Sequence, residues 1–453
     1  MPSEKDRTGP ASGLENDLSA FWLPFTPNRD FKRHPRMLVR AEGMYFYDER
    51  GRALLDACSG LWCVNAGHGR QRITQAIREA AGALDYAPTF QFGHPSAFRL
   101  AARLASLAPP GLDHVFFVNS GSEAVDAALK IARAFFQKSG QDQRFRLIGR
   151  DRGYHGATYA GISVGGIANN RRHFGPLLPG TDDHLPLPYD RARMAFTRRE
   201  PEGGVEFADA LARMIALHGA ETIAAVIVEP MAGSAGVFAS PTEYLPRLRA
   251  ICDVHGILLI FDEVITGFGR LGCAFAAERY GVVPDMIVFA KGVTNGSVPM
   301  GGVIASQKIY DTFMQGPERG IELFHGHTYS GHPLACAAAL ASLDLYEEEG
   351  LFERARALEP VLENAVHALR EAPHVADIRN AGLAAGIDLE PDLSEPGRRG
   401  YEVLTRAFAD ENLVLRVSGD TIALAPALVA SEADIACMVE GVGRVLQTLD
   451  REG

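Results

Sequence analysis

The sequence predicts an α/β protein built on a mainly parallel sheet, and three observations predict it. Short apolar runs rich in Ile, Leu, Val and Phe, such as Ile257–Phe261 and Met286–Ala290, are bounded by Gly and Pro, the pattern of strands buried on both faces. Stretches with helical spacing alternate with such runs from Val115 to Ala290, which implies right-handed crossovers between parallel neighbours. At 453 residues the chain is long enough for two or three compact lobes around a sizeable core.

Composition narrows the function classes. Acidic residues outnumber basic ones, 56 to 45, for a net charge of −11, so neither nucleic acid nor an anionic membrane is an expected partner. The six cysteines (Cys58, Cys63, Cys252, Cys273, Cys336, Cys437) show no CxxC pair and no zinc spacing, which predicts buried free thiols in a reducing compartment. The first 21 residues hold no apolar run that could act as a signal peptide, and no span approaches the length that crosses a membrane. The expectation is a soluble cytoplasmic protein.

Taken in order, residues 1 to about 15 are polar and expected to fray. Phe21–Phe25 is an apolar cluster too short for a core of its own, and reads as an arm on the body that also lines a pocket. Between Arg40 and Leu55, two β runs surround the turn at Asp48–Gly51. Trp62 sits among small residues, as a core Trp does. Helical spacing over Gln71–Leu84 is broken by the Pro and three aromatics of Tyr86–Phe92, where Phe90 reads as an ordinary interface aromatic. It returns over Ser96–Leu107.

Val115–Val118 reads as a strand, and Asn119-Ser120-Gly121-Ser122-Glu123-Ala124 opens a long helix. A small, Gly-containing turn there offers free amides and the positive end of the dipole to an anion. The plain alternative is Ser122 as a helix cap, with Glu123 favourable in the first turn. Phe145–Gly149 is the next strand, followed by a loop with Tyr154 and His155, then an irregular excursion over 165–204. A helix over 206–218 leads to the strand Ala224–Val228, which ends in Glu229-Pro230. The Gly-rich segment MAGSAGV follows, with Ala232 small enough to leave room for a substrate, and then the helix Thr242–Val254.

Beyond the central runs come the strand Gly302–Ala305 and the helices Pro333–Glu348 and Leu351–Ala372. A terminal lobe follows with strands Val375–Arg379, Leu383–Leu389, Leu413–Val417 and Thr421–Leu424 and a closing helix Ser431–Leu449. His325, His327 and His332 suggest a metal at first sight, but no carboxylate or cysteine stands at ligand spacing, so no metal is expected.

The chemistry gathers at two strand ends. Asp262 follows the first apolar run and Lys291 the second, which places both where open α/β sheets bind ligands. Pyridoxal phosphate needs such a pair, a lysine to form the Schiff base and an acid to partner the pyridine nitrogen. A salt bridge at the sheet rim is the plain alternative. Gly267, Gly269 and Gly272 spell G-x-G-x-x-G, but a dinucleotide turn places its glycines directly after the strand. Here Asp262 and Glu263 intervene, and two carboxylates would repel a pyrophosphate.

DEVITGFGR, followed 29 residues after its Asp by the Lys of FAKGVTNG, resembles the signature of the class III (omega) aminotransferases. FWLPFT, GLWC, FQFGHP, NSGSEA, GYHG and TYSGHP extend the resemblance over about residues 18–450. Within that class the combination looks most like the omega-amino acid–pyruvate aminotransferases, which include β-alanine–pyruvate and amine–pyruvate enzymes. The resemblance implies the aspartate-aminotransferase fold (pyridoxal-phosphate fold type I). In that scheme residues 1–70 form an arm and hairpin belonging to a small domain, 71–335 the large cofactor domain, and 336–453 the rest of the small α+β domain. Because sites of this family borrow residues across an interface, it also implies a homodimer or a dimer of dimers.

By the same resemblance Lys291 is the Schiff-base lysine, Asp262 the pyridinium partner, and Val264 and Tyr154 pack on opposite faces of the cofactor ring. His155 accompanies Tyr154, Glu229 helps hold the pocket, and Ser120, Gly121 and Ser122 contact the phosphate together with Thr328 from across the dimer. Trp62, Phe90 and Ala232 fall beside the substrate. Arg416, in NLVLRVSGD, binds a substrate carboxylate and swings out when there is none; a strand-edge arginine facing water is the plain alternative. The implied substrates are a small-molecule amine donor and pyruvate. The same class holds a decarboxylase, an aminomutase and 2-oxoglutarate-using enzymes, and a nicotinamide oxidoreductase or a non-catalytic binding protein are the more distant readings.

Overall fold

A computed structural model describes residues 17–449; the stretch expected to fray lies outside them. The first sheet begins with β1 (Leu38–Glu42), β2 (Tyr45–Asp48) and β3 (Ala53–Asp56), paired antiparallel. The expected turn between β2 and β3 is set by Asp48, whose Oδ1 accepts the amides of Arg50 and Arg52, both at 2.9 Å. An aspartate bonding the backbone just ahead of it is a standard way to fix a turn. β1 is an extra strand, folded back through Gly43 at φ +57°, a conformation open to glycine.

The strands that follow are β4 (Leu112–Val118), β5 (Arg146–Arg150), β6 (His184–Leu185), β7 (Ile223–Val228), β8 (Met231–Ala232), β9 (Phe238–Ala239), β10 (Leu258–Asp262), β11 (Met286–Ala290) and β12 (Gly301–Ser306). Seven of them form one sheet in the order β4-β12-β11-β10-β7-β5-β6. Every pairing is parallel except the two made by β12. Every residue of β7, β10 and β11 is buried, because helices and loops cover both faces of the sheet. That is why these strands read as unbroken apolar runs rather than alternating ones. The excursion over 165–204 is more ordered than its composition suggests, since it supplies β6 to the sheet edge and the helix Ala168–Phe174.

The chain closes with β13 (Val375–Ala381), β14 (Ala384–Leu389), β15 (Leu413–Val414), β16 (Arg416–Ser418) and β17 (Thr421–Leu424). The stretch Leu413–Val417, expected as one strand, is two. β15 pairs parallel with β3 in the N-terminal sheet, whereas β16 joins a second sheet ordered β13-β14-β17-β16. The break falls at Leu415, so Arg416 stands where the chain passes between sheets. The two ends of the chain thus share one sheet, and the helix Pro333–Glu348 runs across the expected boundary at 335/336.

Cys58, Cys252, Cys273 and Cys336 are buried, Cys63 is half-buried and Cys437 exposed, all unbridged. No helix among the described residues is long and apolar enough to cross a membrane.

Candidate active site

The carboxyl ends of β7, β10 and β11 deliver Glu229, Asp262 and Lys291 to one cavity of about 150 Å³, lined also by Gly121, Ser122, Tyr154, His155, Gly156, Val264 and Ile265. Adjacent parallel strands end at the same edge of the sheet. A residue placed just past each run therefore arrives at a common place, and this geometry brings Asp262 and Lys291 together.

Asp262 is held from two sides. Its Oδ2 accepts the Nδ1–H of His155 at 2.8 Å, and its Oδ1 accepts the amide of Val264 at 3.1 Å. His155 is itself fully buried, so the carboxylate has one orientation. Lys291 takes φ +52° directly after β11, a strained setting for a non-glycine residue and of the kind that gathers at functional sites. Burial lowers the pKa of its ammonium from the ordinary value, against an opposing pull from Asp262. Glu229 accepts the amide of Tyr154 at 3.0 Å. The buried Arg150 donates to the Glu229 carbonyl at 2.9 Å. Burial pushes the Glu229 carboxyl up, with the charges of His155 and Arg150 pulling it back.

The anion cradle is built at the start of the helix Gly121–Lys138. Ser120 caps it by accepting the Glu123 amide at 3.2 Å, so the cap is Ser120 and not Ser122. The amides of Gly121 and Ser122 lie in the first turn, where no helical acceptor reaches them. The Ser122 hydroxyl accepts the Ala157 amide at 3.0 Å, which draws the Tyr154–Gly156 loop over the cradle. Gly156 sits at φ +97°, and a Cβ there would come within 2.5 Å of Ser122 Oγ. A Cβ on Gly121 would come within 3.0 Å of both Val264 methyls. Glycine at both positions lets the helix start pack directly against the loop and against Val264.

The turn after Asp262 is fastened by Glu263, which is fully buried and accepts the Thr266 hydroxyl at 2.8 Å and the Ala277 amide at 2.9 Å. Burial raises its carboxyl to about 7. The glycines of the G-x-G-x-x-G run lie in the tight turn that follows: Phe268 donates to the Ala274 carbonyl at 2.7 Å and Gly269 to that of Cys273 at 3.0 Å. No helix opens at these glycines to receive a pyrophosphate.

The other expected residues lie off the cavity wall. Trp62 is buried in a cluster with Met231 and Ile265, and of these only Ile265 lines the cavity. Ala232 is fully buried in β8. Arg416 lines a neighbouring groove with Phe25, Phe31 and Tyr401; its charge reaches Tyr154, where it opposes the rise that burial gives the phenol. It makes no ion pair or hydrogen bond among the described residues. Phe90 and Thr328 share a surface region: Tyr86 donates to the Thr328 carbonyl at 3.1 Å and Thr89 to that of Ser330 at 3.0 Å. Two cavity residues, Gly156 and Ile265, were not singled out in the sequence. The Gly after Tyr154-His155 was a readable signal for the first, and nothing local marks the second.

A flat ring carrying a phosphate and an aldehyde fits this set. There is a helix N-terminus for the anion, a slot between Tyr154 and Val264 for the ring, a fixed carboxylate, and an amine whose charged form burial disfavours. His155 Nε2, on the side of the ring away from Asp262, is buried without a partner among the described residues.

Comparisons with known proteins agree. Residues 27–446 match the aminotransferase class-III family model. The chain is 58% identical to an omega-aminotransferase of Caulobacter vibrioides, over 96% of this chain and 99% of that one. It is 49% identical to a β-alanine–pyruvate aminotransferase of Pseudomonas aeruginosa, over 96% and 97%. Among solved structures, an (S)-enantioselective omega-transaminase of Thermomicrobium roseum superposes with a TM-score of 0.89 at 38% identity, covering 96% and 97%. An omega transaminase of Pseudomonas jessenii in complex with PMP gives 0.88 at 32%, covering 95% and 97%.

Proposed function

The chain belongs to the aminotransferase class-III family of pyridoxal-phosphate-dependent enzymes, and within it we propose that it moves an amino group from an omega-amino acid such as β-alanine, or a primary amine, to pyruvate, giving alanine. The observation that carries this reading is the convergence of Lys291, Asp262 and the Gly121–Ser122 turn on one cavity. The names of the relatives supply the substrate classes. Its substrates are small-molecule amines and keto acids.

When bound, pyridoxal phosphate supplies an electron sink for charge developing on the substrate carbon. Asp262 would face the ring nitrogen and hold a proton there, in the orientation that His155 and the Val264 amide give it. Gly121 and Ser122 would bind the phosphate through their amides, and Tyr154 and Val264 would flank the ring. Lys291 Nζ would take the proton from the substrate carbon as general base and give it back as general acid. Burial, which disfavours the charged form of its ammonium, suits that work.

Arg416 would bind the carboxylate of pyruvate or β-alanine through its planar fork and turn into the neighbouring groove for an amine that has none. Among the described residues no ion pair holds it back from doing so. Thr328 and Phe90 do not line the cavity of their own chain, and we read them as contributions to the site of a second copy, in a homodimer or a dimer of dimers. The unbridged thiols fit a cytoplasmic location.

A panel of β-alanine, longer omega-amino acids and carboxylate-free amines, each with pyruvate or 2-oxoglutarate as acceptor, tests the proposal. Alanine formation with pyruvate should exceed glutamate formation with 2-oxoglutarate for every active donor. Carbon dioxide release without alanine, or a preference for 2-oxoglutarate, overturns it.

A further inference from the structure

The C-terminal sheet aligns two arginines in a single row. Arg379 of β13 pairs with Gly386 of β14, Gly386 with Ala423 of β17, and Ala423 with Arg416 of β16. Residues paired directly across neighbouring strands project from the same face. Arg379 and Arg416 therefore rise from one face, and only a glycine and an alanine separate them along the row. The gap is filled from the other part of the fold. The tip of the β8–β9 hairpin lies on it, so close that a Cβ on Gly386 would collide with the Gly236 carbonyl.

Arg379 fastens that tip. Its Nε and Nη2 both donate to the Gly236 carbonyl, at 3.2 and 2.8 Å. Asp388 grips the guanidinium with both oxygens, at 2.8 and 2.7 Å, and Asp377 takes a further bond from Nη1. The two acids are fixed in turn, Asp388 by the Thr421 hydroxyl at 2.6 Å and Asp377 by the Tyr189 hydroxyl at 2.6 Å. The guanidinium lies 4.0 Å from the centre of the Phe238 ring, so the hairpin is held at its carbonyl and its aromatic together. Every donor of Arg379 is used, and the residue is 5% exposed. Gly236 takes φ +122° to present its carbonyl, a conformation that only glycine enters freely.

In the same turn, where the Gly236 amide donates to the Gly233 carbonyl at 3.1 Å, the hairpin meets the active site. A Cβ on Gly233 would come within 2.8 Å of Ile265 Cδ1, and Ile265 lines the cavity beside Lys291 and Asp262. β8 follows Glu229 and Pro230 directly. One face of one sheet thus grips the support of the cavity wall and also carries Arg416.

We propose that Arg379 is a positioning residue for substrate carboxylates: by locking the β8–β9 hairpin onto the row that bears Arg416, it sets the reach of Arg416 relative to the cavity wall. The inference rests on the carboxylate-binding reading of Arg416. Loss of the lock lets hairpin and sheet shift against each other, which affects substrates that use Arg416 and spares those that do not. Arg379 itself bonds none of the residues that line the cofactor cavity.

The test uses the purified holoenzymes of the wild type, Arg379→Met, Arg416→Ala and the double variant. In Arg379→Met the KM for pyruvate and for β-alanine rises about tenfold, as for loss of a charge-assisted contact. The half-reaction with a carboxylate-free amine changes by less than about twofold, as for an uncoupled site, and the cofactor absorbance is unchanged. Amide exchange over residues 233–238 quickens in the same variant. The double variant is no worse for pyruvate than Arg416→Ala alone, because both act through one contact. Should Arg379→Met fail to fold, Asp388→Asn keeps the arginine and weakens its grip, with the same split at smaller size. Equal losses for both substrate types, or an unchanged KM for pyruvate while Arg416→Ala raises it, overturn the inference alone. An Arg416→Ala enzyme with wild-type KM for pyruvate removes the reading of Arg416 and this inference with it.

Discussion

The strand-end centre and the paired loops at 86–94 and 325–332 are built on opposite plans. At the centre every functional group is oriented by its own chain: Asp262 by two donors, Glu229 by Tyr154 and Arg150, and Lys291 by the end of β11. The loops are tied mainly to each other, through Tyr86 to Thr328, Thr89 to Ser330 and the His94 ring to the Gly331 carbonyl at 2.7 Å. They turn large aromatics outward, with Phe92 at 74% and Tyr329 at 58% exposure. The difference teaches that one region is finished within a single chain, while the other leaves large apolar side chains uncovered, as the proposed second copy would require. A soluble protein seldom leaves that much apolar area uncovered without a use for it.

The largest expected effect is at the finished centre. Lys291→Ala should remain folded and lose the yellow absorbance of the lysine-bound cofactor. Turnover should fall by a factor on the order of 10³ or more, since both nucleophile and proton carrier are lost. Full activity in that variant would undo the functional reading. Asp262→Asn keeps the shape and removes the charge, so it separates orientation from electrostatics. Its turnover should fall by about 10² or more, with weaker cofactor binding measured by titration. Equal rates for the Asn variant and the parent would mean that the carboxylate only orients its neighbours.

These two residues were legible because their placement is nearly local. An apolar run of five residues forms a strand, the next charged residue stands at its end, and parallel neighbours end together. The anion turn was legible for the same reason, although the cap proved to be Ser120. The sheet switch at Leu415 was not, because Leu413–Val417 has the same pattern whether it serves one sheet or two. The choice is made by β3, more than 350 residues earlier in the chain. Arg379 was not legible either, since its acceptor at Gly236 lies 143 positions away and an arginine in a strand carries no mark of its partner. Thr328 and Phe90 were named only through family resemblance, and their own chain brings neither to the cavity.

A mixing experiment sharpens the comparison at intermediate effect. Thr328→Ala should weaken cofactor binding about tenfold, as for a hydrogen bond to a charged group, measured by the return of absorbance on titration. If Thr328 serves the neighbouring site, hybrids formed with Lys291→Ala chains contain one site with both groups intact. The mixture should then regain activity that neither variant shows at limiting cofactor. Hybrids that stay inactive would place Thr328 outside the shared site and would blur the contrast between the two regions.

The smallest expected effect concerns Lys291 in the cofactor-free protein, and it asks whether the centre is desolvated before anything binds. Burial holds the Lys291 ammonium below its ordinary pKa, with Asp262 pulling the other way. Folding therefore favours the neutral amine. Unfolding returns the side chain to water, where it takes up a proton at any pH below the ordinary lysine value of about 10.4. The stability linked to this group is accordingly present above that value and lost as the pH falls through the lower, folded value. Lys291→Met keeps the length and apolar stem of the side chain and cannot titrate. Cofactor-free Lys291→Met should thus melt at a higher temperature than the cofactor-free wild type at pH 7, and thermal unfolding followed from pH 7 to 10 should show that gap narrowing. Other consequences of the substitution do not titrate over this range and shift the gap by a constant amount. A gap that stayed level or widened with pH would mean that the lysine is well hydrated until the cofactor arrives. The centre would then be completed by its ligand, much as the outer loops would be completed by a second chain.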